Sequence, residues 1–257
     1  MNLTASTVFV PGATSGIGLE LALRLHALGS TVIVGGRRAD RLAEIAAEHP
    51  GIDTVRIDVS DAASIEAAAR EVLDRHPDLN VLVAMAGVME AEDWRSADFL
   101  ATAERVVVTN LLGTIRLVAA FTAHLQTRPD AAVVTVSSGL AHVPLAVTPT
   151  YNATKAAIHR LSEGIRLQLE PAGVQVVEIV PPAVRTSLMP GHEENPVAMP
   201  LDAYVDEVLA ILEAQPDARE VLVQNVRPLR FAEAEGRYDA VVARLNATDR
   251  FAAAAAH

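Results

Sequence analysis

Seven short apolar runs, separated by stretches rich in Ala, Leu, Arg and Glu, constrain this chain more than anything else in it. The runs are Thr7–Val10, Thr31–Val34, Thr54–Ile57, Val81–Ala84, Ala132–Val136, Gln175–Ile179 and Val221–Val223. They are rich in β-branched residues and show little polar alternation, as strands do when both faces of a sheet are covered. Between and after them, Gly18–Ala27, Ala39–Glu48, Ala62–Asp74, Thr102–Gln126, Tyr151–Glu170, Leu201–Ala214 and Phe231–Leu245 read as helices. Such alternation predicts an α/β fold, a doubly wound parallel sheet of about seven strands with helices on both faces.

Nothing breaks the pattern. There is no repeat and no low-complexity linker, and 51% hydrophobic residues over 257 positions suffice for one large core, so a single domain over residues 1–257 is expected. The terminal Ala252–Ala256 run is expected to fray. Two connections are long: Met85–Leu100, and Val180–Pro200 with its five prolines. Long ordered loops are often functional lids. In an open α/β sheet, ligands sit beyond the carboxyl ends of the strands, where both loops belong.

Charge and composition remove several function classes. The net charge is −11, and no basic stretch is longer than Arg37-Arg38, which argues against nucleic acid or an anionic membrane as partner. Without cysteine there are no disulfides or thiolate metal sites. The eight histidines show no metal-ligand spacing, so no metal is expected. No leader pattern opens the chain and no run of about 18 uninterrupted apolar residues occurs, so a cytoplasmic protein is expected.

The first strand runs into Gly12-Ala13-Thr14-Ser15-Gly16-Ile17-Gly18, and a helix follows. Glycines there allow a tight turn and bring backbone N–H groups at the helix start against a pyrophosphate. The second strand ends in Gly35-Gly36-Arg37-Arg38. An acid at that point would bind adenosine ribose hydroxyls and repel a 2′-phosphate. Glycine followed by two arginines favours NADP(H) instead. One Arg–phosphate hydrogen bond contributes about 1.5–3 kcal/mol, roughly 10- to 100-fold in affinity. The alternative is a basic helix start. Asp58-Val59 ends the third strand, and Asp58 either contacts adenine or caps the next helix.

Lys155 is the only lysine, against 20 arginines, and it stands four residues after Tyr151. With three tyrosines in 257 residues, chance gives that spacing about 1% of the time. An arginine would serve a solvated helix face equally well. Retaining lysine points to a site that needs a compact ammonium with a movable pKa.

With Gly12-x-x-x-Gly16-x-Gly18 early, Ser138 thirteen residues before Tyr151, and Tyr151-x-x-x-Lys155 opening a helix, the chain resembles the short-chain dehydrogenase/reductase family from roughly Leu3 to Asn246. Its glycine spacing is similar to that of the compact, single-domain members. Pro181-Pro182-Ala183-Val184-Arg185-Thr186 and the segment Val226–Ala232 look like the DltE-like branch. The resemblance implies a Rossmann-type fold and a reversible, NADPH-dependent reduction of a ketone or aldehyde. Tyr151 would exchange the proton. Lys155, one turn on, would favour the phenolate and hold the nicotinamide ribose. Ser138 would hydrogen-bond the substrate oxygen. Asn110 would hold, by its backbone carbonyl, a water linking Lys155 to solvent. Thr186 would contact the nicotinamide carboxamide, with Pro181 and Val184 shaping that side. The cofactor set is completed by Thr14, Ser15, Ile17, Ala86 and Gly87.

The chain departs from the family at two segments that touch in it. Pro11 replaces the usual threonine before the first glycine, and Ala84-Met85-Ala86-Gly87 replaces Asn-Asn-Ala-Gly. Loss of polar groups on both sides suggests that an apolar contact replaces hydrogen bonds. His142, Val143, Pro144, Leu145, Met189, Met199, Met89 and Trp94 are substrate-pocket candidates, each equally compatible with ordinary loop packing. They suggest a medium-sized, mostly apolar carbonyl. By resemblance, the Thr102–Gln126 and Tyr151–Glu170 helices form a dimer face, giving a homodimer or homotetramer. The rival readings are an NAD-dependent alcohol dehydrogenase and a dinucleotide-binding protein without turnover.

Overall fold

The apolar runs pair side by side in one sheet. The computed structural model describes residues 3–247, and the Ala252–Ala256 run lies outside the described residues. The strands are β1 (Thr7–Pro11), β2 (Thr31–Gly36), β3 (Asp53–Arg56), β4 (Val81–Ala84), β5 (Ala131–Val136), β6 (Val174–Ile179) and β7 (Glu220–Val221). Their order is β3-β2-β1-β4-β5-β6-β7, with every pair parallel. The chain moves outward from β1 to β3, then returns to lay β4 on β1's other side. That reversal leaves a crevice at the carboxyl ends of β1 and β4, the place where such sheets bind ligands.

The two-residue period of the strands divides the core. Val8, Val10, Val32 and Val34 pack on one face with Leu21 and Leu25 of α1 (Gly16–Ala27), Ile45 of α2 (Ala39–Glu48), and Val205 and Val208 of α7 (Leu201–Ala214). Phe9 and Ile33 point the other way, onto Ile65 and Val72 of α3 (Ala62–Arg75) and Leu117 and Phe121 of α5 (Gly113–Leu125). Both faces are therefore covered, which is why these strands are continuous apolar runs.

Three expectations need correction. The predicted Thr102–Gln126 helix is α4 (Leu100–Val106), a π-helical segment Val107–Leu112, and α5 in succession. Gly113 lets this helix close on β3's exit, because a Cβ there would stand 2.8 Å from the Val59 carbonyl oxygen. The predicted Phe231–Leu245 helix reduces to α9 (Tyr238–Leu245), preceded by the one-turn α8 (Arg227–Arg230) and a turn at Gly236, whose φ is +66°. Residues 233–237 are exposed, so no apolar face holds that stretch helical. The last strand is Glu220–Val221 rather than Val221–Val223; Val223 is buried by packing without strand pairing.

The remaining helix is α6 (Pro149–Leu169). The continuous helical run Ala97–Leu125 has the length and mean hydropathy (1.7) of a membrane span. Here its apolar residues Leu117, Phe121 and Leu125 form part of the core.

Candidate active site

A cavity of about 480 Å³ opens at the β1/β4 crevice. Gly12, Ser15, Gly16, Ile17 and Gly18 line one end, and Ser138, Tyr151 and Lys155 line the other. Gly87, Pro181, Val184 and Thr186 lie along it. The two long loops wall it, the second closed on itself by the Val184–Met199 bridge.

The glycine turn is built by close approach. Gly12 has φ +89°, and a Cβ on it would stand 2.6 Å from the Ala86 Cα. A side chain there would need both a disfavoured backbone and displaced neighbours. Ser15 is the N-cap of α1, but its side chain makes no capping bond and the first turn holds no acid. The helix start thus keeps donors and positive dipole for an anion. The Thr186 methyl lies over Gly16, about 3.4 Å from where a Cβ would sit.

Pro11 fits because of where its nitrogen points. Thr7 bonds toward β4's side through Asn80, and the Gly12 N–H donates to the Gly35 carbonyl of β2. By strand alternation Pro11 faces β4, where the ladder already stopped at Phe9–Leu82. Met85 is partly buried against the core there, its sulfur 3.0 Å from where a Cβ on Gly18 would be. Ala86 thus stands against Gly12, and Met85 against Gly18, at this junction.

At the end of β2, Arg38 donates to the Thr14 hydroxyl at 2.9 Å, and both Arg37 and Arg38 are exposed beside the turn. A Cβ on Gly36 would overlap the Thr14 methyl at 2.3 Å, so a side chain there would require Thr14, which Arg38 holds by its hydroxyl, to shift. Asp58 does not cap α3; Asp61 does, accepting from the Ala63 N–H at 3.0 Å. Asp58 accepts from the Ser60 N–H and hydroxyl instead. Burial pushes Asp58 up, but those bonds and the Arg37 and Arg56 charges hold it below the usual carboxylate range. Thr14, Arg37, Arg38, Asp58, Val59, Ala86 and Asn110 stand outside the cavity lining.

At the other end, α6 places Tyr151 and Lys155 one turn apart, both buried. Its first turn is pinned by Glu92, which accepts from the Thr150 hydroxyl at 2.8 Å and the Thr150 N–H at 3.3 Å. The Lys155 Nζ donates to the Val136 carbonyl at 2.7 Å and lies 5.6 Å from the Tyr151 ring centre. Burial pulls Lys155 down to about 8, opposed by the Glu178 charge. Burial pushes Tyr151 up to about 12, and a hydrogen bond with Ser138 lowers it. In this geometry the Lys155 ammonium is directed at the Val136 carbonyl, and desolvation is the larger influence on the Tyr151 hydroxyl.

Ser138 follows β5 in extended conformation, its hydroxyl accepting from the Leu140 N–H at 3.1 Å. The Asn110 side chain clamps Val88 from both sides, at 2.8 and 2.9 Å. Its backbone carbonyl accepts from the Thr114 hydroxyl at 2.8 Å. Gly87 sits between them: a Cβ there would be 3.3 Å from Asn110 Oδ1 and 3.8 Å from Lys155 Nζ.

Of the substrate-pocket candidates, Met89 and Leu145 line the cavity, and Met189 packs against their cluster. The others are corrected. His142 turns away against the His159 ring, 4.7 Å between centres, and Val143 packs on Ala232 and Val241. Pro144 is exposed, Met199 joins the main core, and Trp94 stacks on Phe99. Residues not anticipated as lining include Val88, Glu90, Leu140, Leu188, Val197 and Leu245. Nothing local in the sequence marks them, since they meet only through loop closure.

The short chain dehydrogenase family model matches residues 6–196. An uncharacterized oxidoreductase, DltE, from Bacillus subtilis is 44% identical over 189 residues, 73% of this chain and 75% of that protein. The NADPH-dependent 1-acyldihydroxyacetone phosphate reductase of Schizosaccharomyces pombe is 28% identical over 93% of this chain and 77% of that one. A short chain dehydrogenase from Burkholderia cenocepacia, solved in complex with NADP, superposes with TM-score 0.80 at 27% identity, covering 95% of this chain and 99% of that one.

Proposed function

We propose that this chain, which belongs to the short-chain dehydrogenase family, uses NADPH to reduce a neutral, largely apolar ketone or aldehyde, and runs the reaction in reverse as an alcohol dehydrogenase. The carrying observation is the single cavity joining the uncapped start of α1 to the buried Ser138, Tyr151 and Lys155. In this reading the glycine turn holds the pyrophosphate, and Gly87, Pro181, Val184 and Thr186 flank the nicotinamide. The bound cofactor supplies the hydride. Ser138 donates to the carbonyl oxygen, Tyr151 gives it a proton, and Lys155 supplies the cation that makes the phenolate accessible. Asn110 holds the turn around Gly87, and its backbone carbonyl would hold a proton-resupply water.

NADPH preference rests on the exposed Arg37 and Arg38 and on glycine, not an acid, at position 36. Arg38→Ala should weaken NADPH binding about 10- to 100-fold and change NADH binding less than about 3-fold. Wild-type protein that binds NADH the more tightly would overturn the assignment.

Among the described residues no arginine lines the cavity, and Glu90 does. Glu90 is paired with Arg105, and the lining ammonium of Lys155 is committed to the reaction in this reading, so a phosphate-bearing carbonyl gains no arginine contact from the lining. A neutral apolar aldehyde should show kcat/KM at least about 10-fold above a phosphorylated carbonyl of similar length. Equal values would remove the substrate assignment. Exposed Leu112, Ile115 and Leu167 lie on the helices expected to pair, which supports a homo-oligomer. A cytoplasmic enzyme of one domain fits the same reading.

A further inference from the structure

Glu178 of β6 is fully buried, and no role above uses it. It accepts from the Ser137 hydroxyl and pairs with His159 Nδ1 at 2.9 and 3.1 Å. Lys155 and His159 are one turn apart on α6; His159 bonds the carboxylate directly, and Lys155 Nζ ends on the Val136 carbonyl, one residue before the Ser137 that Glu178 holds. The charges around it are otherwise spoken for. Glu220, its register neighbour on β7, is held by Arg230 at 2.8 and 3.0 Å. Glu163 pairs with Arg160 at 2.6 Å, with its other oxygen 3.8 Å from His159 Nε2. His142, against the His159 ring, is pulled by burial to about 4 and is neutral near pH 7. His142, His159 and Glu220 lie close enough together to hold a cation, but Arg230 and Glu178 already engage two of the three.

We propose that Glu178 is a positioning residue for this site, the buried counter-ion that keeps Lys155 an ammonium and, through Ser137, fixes the strand end carrying Ser138. His159 competes with Lys155 for the same carboxylate and so sets how much of its charge Lys155 feels. The inference rests on the roles proposed above for Lys155 and Ser138. The geometry is direct at Ser137 and His159, and Lys155 is joined to them through its bond to the Val136 carbonyl next to Ser137. Ser137 is tied at its N–H to the Ile179 carbonyl and at its hydroxyl to Glu178, and Gly139 bonds the Pro181 carbonyl, so Ser138 is braced on both sides. The Glu178 charge raises Lys155, and a hydrogen bond to Glu178 is the largest cause raising His159.

Because Lys155 is the only lysine, selective carbon-13 labelling of lysine gives one side-chain resonance whose pH titration reads this ammonium without substrate or turnover. Glu178→Gln should move the midpoint down by about one pH unit or more. His159→Gln, which leaves the carboxylate to Lys155 alone, should move it up. The high-pH limb of kcat for carbonyl reduction should follow each shift in the same direction. An unmoved midpoint in both variants, or displacement of both the same way, overturns the proposal. If Glu178→Gln does not fold, the upward shift in His159→Gln decides it. Should wild-type protein reduce no carbonyl, the functional reading fails while the titration still decides this inference.

Discussion

Tyr151→Phe is expected to lower kcat for carbonyl reduction by about 10²- to 10⁴-fold, the range that a positioned proton donor contributes. NADPH binding should stay within about 3-fold. The substitution removes one oxygen from a buried ring and leaves the α6 backbone, the Glu92 clamp on Thr150 and the Lys155 bond to Val136 in place. Ser138 loses a partner but keeps its bond from the Leu140 N–H. Thermal unfolding monitored beside steady-state kinetics separates lost chemistry from lost fold. A kcat within about 3-fold of wild type would show that the proton comes from elsewhere.

Lys155→Arg should be nearly as damaging although it conserves charge. Lysine fits because one compact ammonium reaches the Val136 carbonyl beside Gly87 in a buried space. A planar guanidinium needs more room and more acceptors than these neighbours offer. We expect kcat to fall about 100-fold or more, with a higher KM for NADPH, because displacement of about 1 Å at a reacting centre can cost that much. A surface role predicts no change in either. The pH dependence follows from burial, which pulls Lys155 to about 8. The ammonium is present below that value, so reduction should decline as pH rises through about 8. Stability runs oppositely. A lysine depressed in the folded state opposes folding below about 8, and that penalty is relieved as pH rises toward the free-lysine value of 10.5. Kinetics and unfolding across this window should therefore diverge in sign.

Much of this architecture is legible in the sequence because it depends on short-range periods. Continuous apolar runs such as Ala132–Val136 announce strands covered on both faces, and four-residue spacing puts Tyr151 and Lys155 on one side of α6. Long connections after β4 and β6 point to the walls of the cavity. What stayed hidden depends on contacts distant in sequence. Glu178 reads as one acid in an apolar strand, and only parallel pairing and the docking of α6 bring it to Ser137 and His159. His142 follows Ser138 closely, yet the 3₁₀ turn Gly139–Ala141 rotates it out of the cavity. The π segment around Asn110 obeys no local pattern either; it sits where the helix passes the Gly87 turn and clamps Val88.

The most direct test is NADPH consumption by the wild-type protein across a panel of aldehydes, ketones and quinones, with alcohol formation quantified and NADH run in parallel. One alcohol should form per NADPH consumed for at least one neutral apolar carbonyl, with NADPH the better donor. Tight NADPH binding with no carbonyl turned over anywhere in the panel would contradict it.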